Sequence, residues 1–122
     1  MTDIIKDYLI EQKGKFADEA KQYYQEHIDS NLGSGHNDSY DAFRHAYVSG
    51  RFTQEYGKII AHILGNKHEN DTENNPPKEE NMDKWNNAVG RYYGDKFDTA
   101  TKLGDMLKDA LKEPLKNQLS NL

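Results

Sequence analysis

Residues 38–57 read DSYDAFRHAYVSGRFTQEYG. At about 100° per residue, Phe43, Ala46, Tyr47 and Gly50 share one side of a helix, while Val48, Phe52 and Tyr56 share nearly the opposite side. Asp38 or Ser39 provides the N-cap, so the helix starts at Tyr40. A helix that is apolar on two sides must be covered on both. The spacing therefore predicts a central helix over about 40–56, with the rest of the chain packed around it. Gly57 ends or bends this helix, and Ile59, Ile60, Ile63 and Leu64 carry the apolar pattern to Gly65.

Upstream, Ile4, Ile5, Tyr8, Leu9, Phe16, Ala20, Tyr23, Tyr24, His27 and Ile28 recur at spacings of three and four, which predicts one amphipathic helix over 3–28 with Asp3 as its cap. The stretch DSNLGSGHNDS (29–39) has no period and reads as a loop. Downstream, NKHENDTENNPPKEEN (66–81) is polar, holds two adjacent prolines and reads as a second loop. Pro77 suits the first turn of the next helix, whose apolar side is Met82, Trp85, Val89 and Tyr93 and which Gly94 ends. A last helix over 96–113 uses Phe97, Ala100, Leu103, Leu107, Ala110 and Leu111, with Pro114 closing it. The expected fold is all-α: a single compact helical bundle of four to five helices in one domain spanning 1–122. Its motif-bearing core, 39–94, lies between the flanking helices.

Composition narrows the function classes. Leu, Ile, Val and Phe occupy 22 of 122 positions, a thin apolar supply that eight tyrosines and Trp85 supplement with amphipathic area. A net charge of −5 is modest enough for such a chain to fold. Arg44, Arg51 and Arg91 are the only arginines, and the lysines are scattered among carboxylates. Binding to a phosphate backbone needs a basic stripe, so wrapping of nucleic acid is not expected. The absence of cysteine excludes disulfides and thiolate metal sites. No apolar run approaches the roughly 20 residues of a transmembrane segment, none is both amphipathic and basic, and no signal peptide precedes Asp3. As it stands, the chain is expected to be soluble and cytoplasmic, or delivered as part of a larger carrier.

Several polar residues do not fit a plain bundle. Asp41 and His45 stand at i and i+4 on the central helix, so their side chains are neighbours, on the face continued by Val48, Phe52 and Tyr56. A carboxylate beside an imidazole serves a general base, a metal ligand with its orienting partner, or a satisfied buried hydrogen bond. Arg44 is placed to anchor an anion or to bind Asp41. On the helix after the prolines, Asn86 falls within the apolar arc, where an amide costs free energy unless its hydrogen bonds are met. Asp83 and Asn87 form an i, i+4 pair at the edge of that arc. An Asn bridging two helices is the plain structural alternative. His68 and Glu69 open the polar loop, His62 reads as a packed histidine, and His27 and His36 carry no supporting pattern. Neither His-Glu-x-x-His nor an Asp-rich calcium loop is present. If metal binds, its ligands come from separate helices, from among Asp41, His45, His68, Glu69 and Asp83, a mixed imidazole and carboxylate set that suits zinc or another divalent ion.

The order of these fragments resembles a group of bacterial domains found at the C-terminal ends of polymorphic toxin proteins. Their pattern is Asp-x-x-Arg-His and an aromatic, then His-Glu, then Met-Asp-x-x-Asn-Asn-x-x-Gly. Here Asp41, Arg44, His45, His68, Glu69, Met82, Asp83, Asn86, Asn87 and Gly90 match it position by position across residues 41–91. The pattern has Trp two or three residues after the Arg-His pair, where this chain has Tyr47 and Val48. The resemblance implies a small hydrolase delivered into a rival or host cell and neutralised by a cognate immunity protein. The residues themselves then suggest Asp41, Arg44, His45, Asn86 and Asn87 as the catalytic set, with His45, His68, Glu69 and Asp83 as ligands if a metal is used, while Asp41 and His45 with Arg44 alone would suit metal-free acid–base hydrolysis. The competing expectation is a non-enzymatic helical binding module, an adaptor or immunity-type partner, in which the polar cluster is structural.

Overall fold

The computed structural model describes residues 3–33, 38–71 and 77–110, with side chains in all of these except 65–71 and 77–81. The described residues form five helices and no strand: α1 (Asp3–His27), α2 (Ser39–Tyr56), α3 (Lys58–Asp71), α4 (Pro77–Lys96) and α5 (Ala100–Ala110). The fold is all-α, a bundle assembled around α2.

Helix α2 starts where a side chain can meet its orphan donors. Asp38 is extended and accepts a hydrogen bond from the Asp41 backbone N–H at 2.9 Å. The helix stops at Gly57, whose φ of 93° lies in the left-handed region that favours glycine. Both apolar arcs of α2 are covered. Phe43, Ala46 and Tyr47 join Ala20, Tyr24, Leu103 and Leu107 in the main cluster, while Phe52 packs with Phe16 and Ala61 in a second.

Contacts along α2 fix the direction of its neighbours. Phe16 meets Phe52 edge-on at a centroid distance of 5.1 Å, and Tyr24 meets Tyr40 at 5.2 Å, so α1 runs antiparallel to α2. Between these points the Tyr47 hydroxyl donates to Glu19 Oε1 at 2.9 Å, and Arg51 Nε donates to the same oxygen at 3.0 Å. At the other flank, Gln54 Nε2 donates to the Phe97 carbonyl at 2.7 Å, Leu103 packs on Gly50, and the Tyr23 hydroxyl donates to Asp105. Helix α5 is therefore antiparallel to α2 as well.

The contact between α2 and α4 is of another kind. A Cβ added to Gly90 would fall 1.9 Å from the Ala46 carbonyl oxygen, and one added to Gly94 would fall 2.3 Å from the Gly50 carbonyl oxygen. The two backbones touch directly, and glycine is what permits it. Gly90 pairs with Ala46 and Gly94 with Gly50, so the register advances in the same sense along both chains and α2 and α4 are parallel. Helix α3 is the return connection between them.

Several sequence expectations need correction. Ile4, Ile5 and Tyr8 are exposed, although the Tyr56 hydroxyl of α2 donates to that of Tyr8 at 3.1 Å and Leu9 packs against the Phe16 and Phe52 cluster. Trp85 is 45 % exposed, since it lies on the side of α4 away from the Gly90 contact. Gly57 ends α2 as expected and residues 59–64 lie on α3, but Ile59, Ile60 and Ile63 are exposed there and His62 is exposed rather than packed. The stretch read as a loop from Asn66 is helical to Asp71, and helix resumes at Pro77. Gly94 does not end α4, which runs to Lys96, and the last helix starts at Ala100 rather than at 96. His36 and Pro114 lie outside the described residues.

Two stability measurements follow from this packing. Gly90→Ala should destabilise by about 3 kcal/mol, the upper end of what overpacking costs, because backbone rather than a flexible side chain must give way. Gly14→Ala, with nothing within 4 Å of the added Cβ, should stabilise by about 0.5–1 kcal/mol. Urea unfolding of both variants beside wild type checks the pair. The Tyr47 phenol is held above its ordinary value by burial and by its bond to Glu19. The unfolded chain therefore releases this proton first as pH rises past about 10. The Tyr47 contribution is full below that pH and fades above it, so the midpoint of wild type should fall more between pH 9 and 11 than that of Tyr47→Phe.

Candidate metal centre

The parallel contact brings the first turns of α2 and the early turns of α4 to one end of the bundle. Asp41 and His45 project from α2, and Asp83 projects from α4. His45 Nε2 lies 3.5 Å from Asp41 Oδ1 and 3.5 Å from Asp83 Oδ1. One ligand atom from each of the three groups lies within 4.8 Å of the others. The carboxylates are nearly sealed, with Asp41 4 % and Asp83 8 % exposed. The imidazole is half-buried, so the cluster has a side that reaches solvent.

This spacing discriminates between chemistries. A direct N–H···O bond is about 2.7–3.2 Å long, and the single proton on Nε2 serves one acceptor well. Here one nitrogen faces two carboxylate oxygens at equal and longer distance. Ligand atoms bound to a tetrahedral ion at about 2.0–2.2 Å stand about 3.3–3.6 Å apart. The two nitrogen-to-oxygen separations match that edge. Imidazole with carboxylates is also a donor set that zinc and neighbouring divalent ions accept. Asp41, His45 and Asp83 thus fit a cation by type and by spacing.

Arg44 adds charge beside this cluster. Its Nη2 donates to Asp41 Oδ1, its guanidinium lies 5.4 Å from the centre of the Tyr40 ring, and its side chain is about one-third exposed. Asp41 is consequently shared between Arg44 and the His45 side of the cluster. The ends of α2 and α4 nearest the cluster are both N-terminal, so their dipoles present partial positive charge toward the carboxylates.

The other sequence candidates separate into two groups. Asn86 and Asn87 sit on α4 in the turn after Asp83 and are buried, Asn86 completely. Neither Oδ1 nor Nδ2 of Asn86 has a hydrogen-bond partner among the described residues. His68 and Glu69 stand near the end of α3, and their side chains lie outside the described residues. Gly90, the last residue of the Met-Asp-x-x-Asn-Asn-x-x-Gly pattern, is a positioning element that periodicity does not reveal. Gly90 and Gly94, four apart and both seated on α2 carbonyls, are the signal of a close helix crossing.

A family model described as Domain of unknown function (DUF6973) matches residues 6–119. The chain belongs to this family. The match extends across all five helices, well past the 41–91 stretch that carries the polar residues. No solved structure matches the chain.

Cation binding is directly measurable. Zinc at 100 times its dissociation constant should stabilise the wild-type domain by about 2.7 kcal/mol. The same addition should leave Asp83→Ala and His45→Ala unchanged, since each lacks one of three ligands. Thermal unfolding with and without added Zn2+, after EDTA treatment, reads this difference.

Proposed function

We propose that this DUF6973 domain is a metal-dependent hydrolase acting as a bacterial toxin or effector, with Asp41, His45 and Asp83 holding a divalent cation such as zinc. The observation that carries the reading is the equal 3.5 Å separation of His45 Nε2 from two carboxylate oxygens on different helices. A divalent ion held there supplies Lewis acidity and an activated water at neutral pH. Three protein ligands leave coordination positions open, the arrangement of catalytic rather than structural zinc.

The chain's own groups have definite parts in this scheme. His45 is the most exposed of the three proposed ligands, and Asp41 and Asp83 flank its Nε2 from two helices. Arg44, anchored on Asp41 and stacked on Tyr40, stands where an anionic group of a substrate would meet it. The effector role rests on the pattern of Asp41, Arg44, His45, His68, Glu69, Met82, Asp83, Asn86, Asn87 and Gly90, which resembles the C-terminal domains of polymorphic toxins. A cognate immunity protein is the partner such a role requires. Among the described residues no helix is long and apolar enough to cross a membrane, so entry into a target cell would depend on a carrier.

One observation favours a helical binding module instead. Ile4, Ile59 and Ile63 are 83 %, 74 % and 56 % exposed, which is apolar area of the kind partners cover. Under that reading the cluster only staples α2 to α4.

Induced expression in bacteria separates the two. Wild type should arrest growth, and His45→Ala should be harmless at equal expression and equal helicity by circular dichroism. Undiminished toxicity of His45→Ala, or no toxicity from either chain, would sink the catalytic reading.

A further inference from the structure

Asn86 has no exposed surface, and both polar atoms of its carboxamide lack a hydrogen-bond partner among the described residues. Native folds rarely keep such a group, because each unmet donor or acceptor in the interior weakens the folded state. An apolar residue of similar size would pack there with no such penalty. A polar side chain retained at this cost needs a state in which it is paired.

The surroundings indicate which state. Asn86 is three residues after Asp83 on α4, so the two side chains are neighbours on one helix, with Cβ atoms about 5–6 Å apart. The carboxylate Oδ1 of Asp83 is the atom that faces His45 across the helix contact. A carboxylate that ligates a metal is itself held by hydrogen bonds from outside the coordination sphere, and those outer partners set its orientation. The Asn86 amide is a buried donor one turn along the same helix, and its NH2 has two hydrogens to give.

We propose that Asn86 is a positioning residue of the metal centre: its Nδ2 donates to the Asp83 carboxylate when a divalent cation occupies the site. This rests on the reading of Asp41, His45 and Asp83 as cation ligands. The unpaired carboxamide is then the apo state of a bond that forms on loading. Helix α4 is held against α2 at Gly90.

The test compares wild type with Asn86→Leu in two measurements on the whole chain. These are the denaturant midpoint after EDTA treatment and the dissociation constant for Zn2+ by calorimetry. The variant's apo midpoint should equal or exceed that of wild type, because an orphaned amide is replaced by an apolar group. Its Zn2+ affinity should fall 10- to 100-fold, the usual consequence of losing an outer-shell partner. A residue that merely packs gives the reverse, a lower midpoint with unchanged affinity, and that result overturns the proposal. Equal affinity in both proteins overturns it while leaving the metal centre intact. If wild type binds neither Zn2+ nor Mn2+, the metal centre fails and the proposal fails with it. Should Asn86→Leu not fold, Asn86→Ala carries the same comparison of affinities.

Discussion

The direct backbone contact between α2 and α4 is the constraint on which the rest depends. Side chains normally hold two helices 8–10 Å apart. Here Gly90 lies against the Ala46 carbonyl and Gly94 against that of Gly50, so nothing but main chain separates the axes. The consequence reaches the end of the bundle. Asp83 precedes Gly90 by seven residues, two helical turns, and so lies on the same face of α4. Closing the helices at Gly90 therefore brings Asp83 to His45. A methyl group inserted at Gly90 would act on the site without touching any of its polar atoms.

This constraint also explains why the interior tolerates so much polarity. Asp41, Ser49, Thr53, Asp83, Asn86 and Asn87 are all buried, in a domain whose apolar supply is small. Some of this is satisfied locally, as where Thr53 Oγ1 donates to the Ser49 carbonyl at 2.9 Å. The Asn86 amide is not. An unmet buried group costs about 1–3 kcal/mol, a large share of the roughly 5–15 kcal/mol that holds a domain together. The aromatic residues offset this cost elsewhere. Phe43 is stacked between Tyr23 and Tyr47, and Tyr24 and Tyr40 close the same cluster around it. Stability is gathered at the α1, α2 and α5 interfaces and given up at the α2 and α4 interface.

The helices were legible in the sequence because periodicity reports a face, and the caps report an end. The two arcs of α2 placed it at the centre, and Asp38 marked its start. What periodicity does not report is whether a neighbour stands opposite a given face. Ile4, Ile5 and Tyr8 keep the pattern of Phe16 and Tyr24, yet only the latter are buried, and Tyr8 meets α2 through its hydroxyl. Ile59 and Ile63 fail in the same way on α3. Gly94 misled for a different reason: glycine after a periodic run usually marks a C-terminus, but here it marks a close approach within a continuing helix. The grouping of Asp41 with His45 followed from spacing along one helix. The meeting of that pair with Asp83 depended on α2 and α4 being parallel, a relation between elements that no local pattern carries.

The charge arrangement at the site gives the cation reading its physical force. If Asp41 and Asp83 are both ionised within 4.8 Å of each other, their repulsion is about 3–4 kcal/mol or more at an effective dielectric constant near 20. An imidazole offers one proton at Nε2, which relieves one carboxylate and leaves the other facing its neighbour's charge. Arg44 donates to the same Asp41 oxygen that faces His45, so it relieves the carboxylate on His45's own helix. Asp83 is the carboxylate whose position the glycine contact dictates. Under the proposed function, a divalent ion held by the three groups would offset this repulsion. The direct contact of α2 with α4 thus sets two carboxylates around one imidazole, the arrangement from which the proposed cation site is built.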